Sequence, residues 1–232
     1  MNESMIIMGV AAVMSVVFFG ILAYNLRTLM TDTDLTNLSM LRDTSSLEED
    51  FKDILGFLPL IEIQLIIENY VRHDPQMNET VNFINDQKRF MLSELEHIPQ
   101  VCNFVNVLQE NGLQVDYWNE VIQSLWTNLP PFVASDASMA SGGLTGMISR
   151  ILKTIPRSEL HELLRQKYKY SASFRKLIQF LRSRSFNEFC DALEDNAGLQ
   201  RHFYWAKESG LEIVFAIELV RNLYYYVTED LG

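Results

Sequence analysis

From Ser46 onward the apolar residues recur with the period of a helix. In Leu60–Val71, LIEIQLIIENYV, residues Ile63, Ile66, Ile67, Tyr70 and Val71 share one broad apolar arc, and Ile61 and Leu65 form a second stripe behind it. Punctuation agrees with the period. Ser46 and Glu49 have the spacing of a capping box and open a helix through Phe57. Pro59, Pro75, Pro99 and Pro156 fall where helices start, a position that tolerates a missing N–H. Gly112 and Gly210 follow helical patterns at the place of a left-handed carboxyl-terminal cap. Strand-like alternation bounded by hairpin turns is absent, so the pattern predicts an all-α fold.

The pattern also repeats. FKDILGFLPLIEI (Phe51 to Ile63) is echoed by ISRILKTIPRSEL (Ile148 to Leu160) at an offset of 97, and LQENGLQV (Leu108 to Val115) by AKESGLEI (Ala206 to Ile213) at 98. The drift implies one inserted residue near Phe90 and Phe186. At the same offset Val115, Trp118, Asn119, Ile122, Leu125, Trp126 and Leu129 in the first copy match Ile213, Ala216, Ile217, Val220, Leu223, Tyr224 and Val227 in the second as apolar stripes, broken only by Asn119. The organisation predicted is a polar tether over 25–46, a helical repeat over 47–129, a Pro, Ser, Gly and Ala-rich linker over 130–146, and a second repeat over 147–232.

Residues 1–24 read differently. Met5 to Tyr24 is an uncharged apolar run long enough to span a bilayer core of about 30 Å. Its length fits a retained anchor, and the small residue Ala23 fits a cleaved signal peptide. Either route can place the body outside the cytosol, where the sequons at Asn37 and Asn78 are glycosylation acceptors, whereas an anchor followed by Arg27 into the cytosol leaves them unused. With 19 Lys and Arg against 30 Asp and Glu, the formal charge of −11 argues against nucleic acid or an anionic membrane surface as main partner. Cys102 and Cys190 lie in no metal or redox spacing, and are read either as a pair or as two free thiols.

The segments LEEDFKDILGFLPLIEI, FVNVLQENGLQVDYW and GLTGMISRILKTIPRSELHELL, in that order and spacing, resemble the insect-allergen-related repeat family over about Ser46 to Val227. That family includes the cockroach allergen repeat, mosquito midgut microvillar proteins and butterfly nitrile-specifier proteins. The resemblance implies a helical capsule around one apolar cavity that holds fatty acids or phospholipids. The amino-terminal apolar run and the aromatic YYYV near the carboxyl terminus depart from a freely soluble member.

Candidate chemistry follows the same division. His73, His97, His161 and His202 are scattered, and no nucleophile elbow, HExxH, P-loop or dinucleotide fingerprint occurs, so neither an enzyme nor a cofactor or metal site is expected. Glu48, Glu49 and Asp50 cluster at a helix start, where they suit the dipole. The resemblance makes the apolar stripes a cavity lining. In the first copy these are Ile54, Leu58, Ile63, Ile66, Ile67, Trp118, Ile122 and Leu125. In the second they are Ile151, Ile155, Leu160, Leu163, Leu164, Ile217, Val220 and Leu223. A close-packed core uses the same stripes. Ile61 and Leu65 face Ser158 and Glu162 in the second copy, so their stripe needs its own cover: the tether from Leu26 to Leu41, a membrane surface or another chain. The function expected is non-catalytic lipid carriage in the gut lumen or at microvilli. The alternatives are a specifier-type detoxification protein and a membrane-tethered structural protein.

Overall fold

The structure, a computed structural model, describes residues 46–115, 128–134 and 140–211. The run Met5–Tyr24, the tether up to residue 45 with Asn37, and the candidate lining residues Trp118, Ile122, Leu125, Ile217, Val220 and Leu223 lie outside the described residues. Within them the elements are all helical: α1 (Leu47–Phe57), α2 (Leu60–His73), α3 (Pro75–Glu96), α4 (Pro99–Glu110), α5 (Gly143–Thr154), α6 (Arg157–Tyr170), α7 (Ala172–Leu181), α8 (Arg184–Glu194) and α9 (Ala197–Glu208).

The helices begin and end where local chemistry requires. The Ser46 side chain accepts from the Glu49 N–H while the Glu49 carboxylate accepts from the Ser46 N–H, which satisfies two donors at the start of α1. Pro75 and Pro99 open α3 and α4, where their missing N–H costs nothing. At φ of +87° and +77°, Gly112 and Gly210 turn the chain out of α4 and α9. In both turns the glycine and the leucine after it donate back into the helix end, Gly112 to Gln109 and Leu113 to Leu108, then Gly210 to Lys207 and Leu211 to Ala206.

Helix boundaries recur at the offsets read from the sequence: α2 and α6 begin and end 97 residues apart, α4 and α9 98 apart. Between these pairs, α3 is one continuous helix, whereas the matching stretch is divided into α7 and α8. Ser183 caps α8 by accepting from the Phe186 N–H, so the extra residue coincides with a helix break. Helix α5 starts at Gly143, inside the stretch expected as linker.

Packing interlocks the helices that precede this stretch with those that follow it. Helix α5 seats on α2 and α3, and α1 seats on α6 and α7; α4 lies against α8, and α9 against α3. The apolar arc of α2 explains the first of these contacts. Ile63, Ile66, Ile67, Tyr70 and Val71 are all buried, and they form one cluster with Leu144, Met147, Ile148 and Ile151 of α5. A second cluster joins Leu47, Ile54 and Leu55 of α1 to Leu160 and Leu164 of α6 and to Phe174, Leu177 and Ile178 of α7. A third gathers Ile98, Phe189, Leu193 and Leu199. The other stripe of α2 faces outward, with Ile61 62% and Leu65 61% exposed.

Candidate functional site

Of the residues expected to line an apolar interior, the structure places ten, and it brings all ten into the first two clusters. Ile63, Ile66, Ile67 and Ile151 are buried in the α2–α5 cluster. Ile54, Leu160 and Leu164 are buried in the α1–α6–α7 cluster, with Leu163 half-buried against it. Leu58 and Ile155 pack against both clusters and so join them. These stripes meet one another across the interlock.

A different apolar surface is only half-buried among the described residues. Helix α4 carries Val101, Phe104, Val105 and Leu108 on one side, yet none of its side chains is fully buried. Next to it the rings of Phe104, Phe180, Phe186 and Phe189 stack or tilt on one another, with centroids 5.2 Å apart for Phe104 and Phe189 and 5.7 Å for Phe104 and Phe180. Of the four, only Phe189 is fully buried. Phenylalanine rings that hold one another while part of their surface stays accessible form an apolar wall that still has contact area to offer.

Buried charge frames this interior on two sides. The Lys167 ammonium, 3% exposed, lies 3.1 Å from Oδ1 of fully buried Asp50 and also pairs with the half-exposed Asp53. Ser171 donates its hydroxyl to Asp50 and accepts from the Phe174 N–H, so one residue caps α7 and ties it to α1. On the other side buried Asp74 caps α3 by accepting from Gln76 at 2.8 Å and Met77 at 3.1 Å, and its second oxygen accepts from the Gly143 N–H of α5 at 2.9 Å. The acidic cluster at α1 thus does more than suit the helix dipole: Glu49 completes the cap, while Glu48 pairs with Lys52 at 3.3 Å and accepts from the Gln114 N–H. Sequence reading missed the Asp50–Lys167 pair. The signal was present, because Lys167 continues the apolar stripe Leu160, Leu164 at helical spacing, and a charge on a buried stripe requires a partner.

The remaining polar candidates are dispersed. Among the described residues no three His, Cys, Asp or Glu side chains converge on a metal-sized space. Asn78 sits half-buried in α3, where the Thr80 of its sequon is buried and donates to the Gln76 carbonyl. Cys102 and Cys190 are both free; Cys102 is exposed, and Cys190 packs against the third cluster. Burial, helped by Glu194 and Asp191, pushes the Cys190 thiol up to about 12. Its thiolate fraction at pH 8 is then about one in ten thousand. Iodoacetamide at pH 8 should therefore label native protein at Cys102 and leave Cys190 intact until denaturant is added. Peptide mass mapping reads this, and labelling of Cys190 as fast as Cys102 would contradict its burial.

The sequence places this architecture among known proteins. Residues 46–217 match the family model described as insect allergen related repeat, nitrile-specifier detoxification. A curated relative, Protein G12 of Anopheles gambiae, is 22% identical over 186 residues, which cover 78% of this chain and 88% of the relative.

Proposed function

The chain belongs to the insect allergen related repeat family, and we propose that it binds a fatty acid or phospholipid non-covalently along the apolar wall of α4, α7 and α8. One observation carries the reading: α4 is amphipathic, lies against α8, and buries none of its side chains completely. Elsewhere the buried arcs of α1, α2, α5 and α6 pack on each other. An acyl chain laid on Val101, Phe104, Leu108, Phe180 and Phe186 gains about 0.8 kcal/mol per buried CH₂ without any specific polar contact. Selectivity among chain types is then low.

The family description also names nitrile-specifier detoxification. Directing a reaction needs polar groups turned toward the ligand, whereas Asp50, Lys167, Ser171 and Asp74 are engaged with one another or with helix ends. Carriage is the better supported reading. The apolar run Met5–Tyr24 supports export of the body from the cytosol, by a cleaved signal or a retained anchor.

Native mass spectrometry of protein secreted from a eukaryotic cell tests the reading. The expected spectrum shows adducts of several hundred daltons that solvent extraction resolves into fatty acids or phospholipids. Extraction should lower the midpoint of thermal unfolding, since ligand at a hundredfold over its Kd stabilises by about 2.7 kcal/mol. A bare polypeptide mass with an unchanged midpoint would sink the proposal. The same spectrum reads the amino terminus: a chain beginning near Tyr24 identifies a signal peptide, and one beginning at Met1 a retained anchor.

A further inference from the structure

The seam between α3 and α9 carries a cluster that the lipid reading does not use. The two helices run antiparallel in close register. The carboxylate of Glu94 fills the space that a Cβ on Gly198 would take, and one turn along, Phe90 stacks on His202 with centroids 6.4 Å apart and planes at 25°. Trp205 meets the same imidazole edge-on at 5.5 Å and 84°. Phe90 is nearly parallel to His202 and Trp205 nearly perpendicular, so the three rings make a corner. His202, only 7% exposed, backs it, while Phe90 is 64% and Trp205 48% exposed. Two large aromatic rings held at steep angles around a buried third ring differ from the single exposed apolar residues found on any surface.

Charge around the corner is arranged by sign. Glu94 and Asp86 lie one turn to either side of Phe90 on α3, and Arg201 precedes Trp205 by one turn on α9. We propose that this corner binds a quaternary ammonium group, with the cation against the exposed faces of Phe90 and Trp205 and the flanking carboxylates neutralising it. In a phosphocholine the phosphate would then reach Arg201. A trimethylammonium presents methyl groups rather than N–H donors, so ring faces and nearby carboxylates are the surfaces that suit it. Burial holds His202 below its ordinary value, with Glu94 opposing and Arg201 reinforcing the effect. Its Nδ1 has no hydrogen-bond partner, so the neutral ring fits there and the charged ring, which would repel the ligand, does not.

The inference stands on these rings alone and does not depend on an acyl chain in the interior. Phosphocholine is titrated into the full chain at pH 7.5, with binding read by isothermal calorimetry and by saturation-transfer NMR of the methyl protons. The expected result is saturable binding in roughly the millimolar range, at least about threefold tighter than for phosphoethanolamine or for 3,3-dimethylbutyl phosphate, the uncharged-headgroup isostere. Phe90→Ala and Trp205→Ala should each weaken it by about three- to tenfold, and Trp205→Phe by less. Both rings are exposed, so these variants should keep native circular dichroism. Glu94→Gln, which leaves every ring in place, should weaken phosphocholine while leaving the isostere unchanged. Equal affinity for charged and uncharged headgroups, or wild-type affinity in Trp205→Ala, overturns the proposal. Flotation with phosphatidylcholine against phosphatidylethanolamine vesicles separates the sources. Preference for phosphatidylcholine that is lost in Trp205→Ala assigns a lipid headgroup, and phosphocholine binding without vesicle binding assigns a free quaternary ammonium. Loss of acyl adducts with phosphocholine binding intact would refute the lipid reading and leave this one standing.

Discussion

Asp50→Ala should lower the unfolding free energy by about 3–5 kcal/mol. The carboxylate is fully buried against Lys167 at 3.1 Å and accepts the Ser171 hydroxyl. Removing it strands an ammonium that is 3% exposed, with only the half-exposed Asp53 left to face it. A buried cation that loses one of its two carboxylates costs more than an exposed pair contributes, because little water replaces the lost partner. Urea unfolding followed by circular dichroism measures the loss. The double replacement Asp50→Leu with Lys167→Met should recover most of it, to within about 1–2 kcal/mol of the parent, since it removes both charges and retains volume. If Asp50→Ala lost less than about 1 kcal/mol, the pair would not be desolvated as the structure has it.

Asp74→Ala should cost about 2–4 kcal/mol. The loss has two parts with different locations. One is the cap of α3, the N–H groups of Gln76 and Met77, worth about 1 kcal/mol. The other is the buried Gly143 N–H at the start of α5, which loses its acceptor and costs about 1–3 kcal/mol unsatisfied. Asp74→Asn separates them, because the amide oxygen can keep the cap while the amide nitrogen cannot accept from Gly143. Hydrogen exchange should then show the first turn of α5 opening in Asp74→Asn with the start of α3 still protected. Equal deprotection of both ends would mean that the carboxylate does not divide its two oxygens in this way.

These two residues expose a relation between local and distant structure. Asp74 and Ser171 stand 97 residues apart, and each caps the third helix of its group. Each also reaches the first helix of the other group, Asp74 to α5 and Ser171 to α1. The same joint is made with opposite chemistry: in one the cap supplies the carboxylate, and in the other the cap supplies the hydroxyl and α1 supplies the carboxylate. Both acceptors of a buried joint are satisfied, which is what the low dielectric of an interior demands.

The sequence by itself determined the helices and their ends. The arc Ile63, Ile66, Ile67, Tyr70 and Val71 is the buried face of α2, Ser46 and Glu49 cap α1, and Gly112 and Gly210 end their helices. Such features depend on neighbours within a few residues, where the 3.6-residue period and the unpaired end groups leave few choices. Family membership was legible for the same reason, since it rests on spacings of apolar residues, prolines and glycines. What only the tertiary structure decided is which faces meet. Amphipathic stripes carry no address, so nothing local states that α5 seats on α2 and α3, while α1 seats on α6 and α7. Nor could spacing show that Lys167 finds Asp50, or that Phe90 of α3 meets His202 and Trp205's cluster on α9, because burial and partners are set by contacts between segments more than a hundred residues apart. The expected lining residues Ile63 and Leu160 were recognised as inward-facing, but whether an inward face packs on a neighbour or stays open depends on the shape of the facing helix.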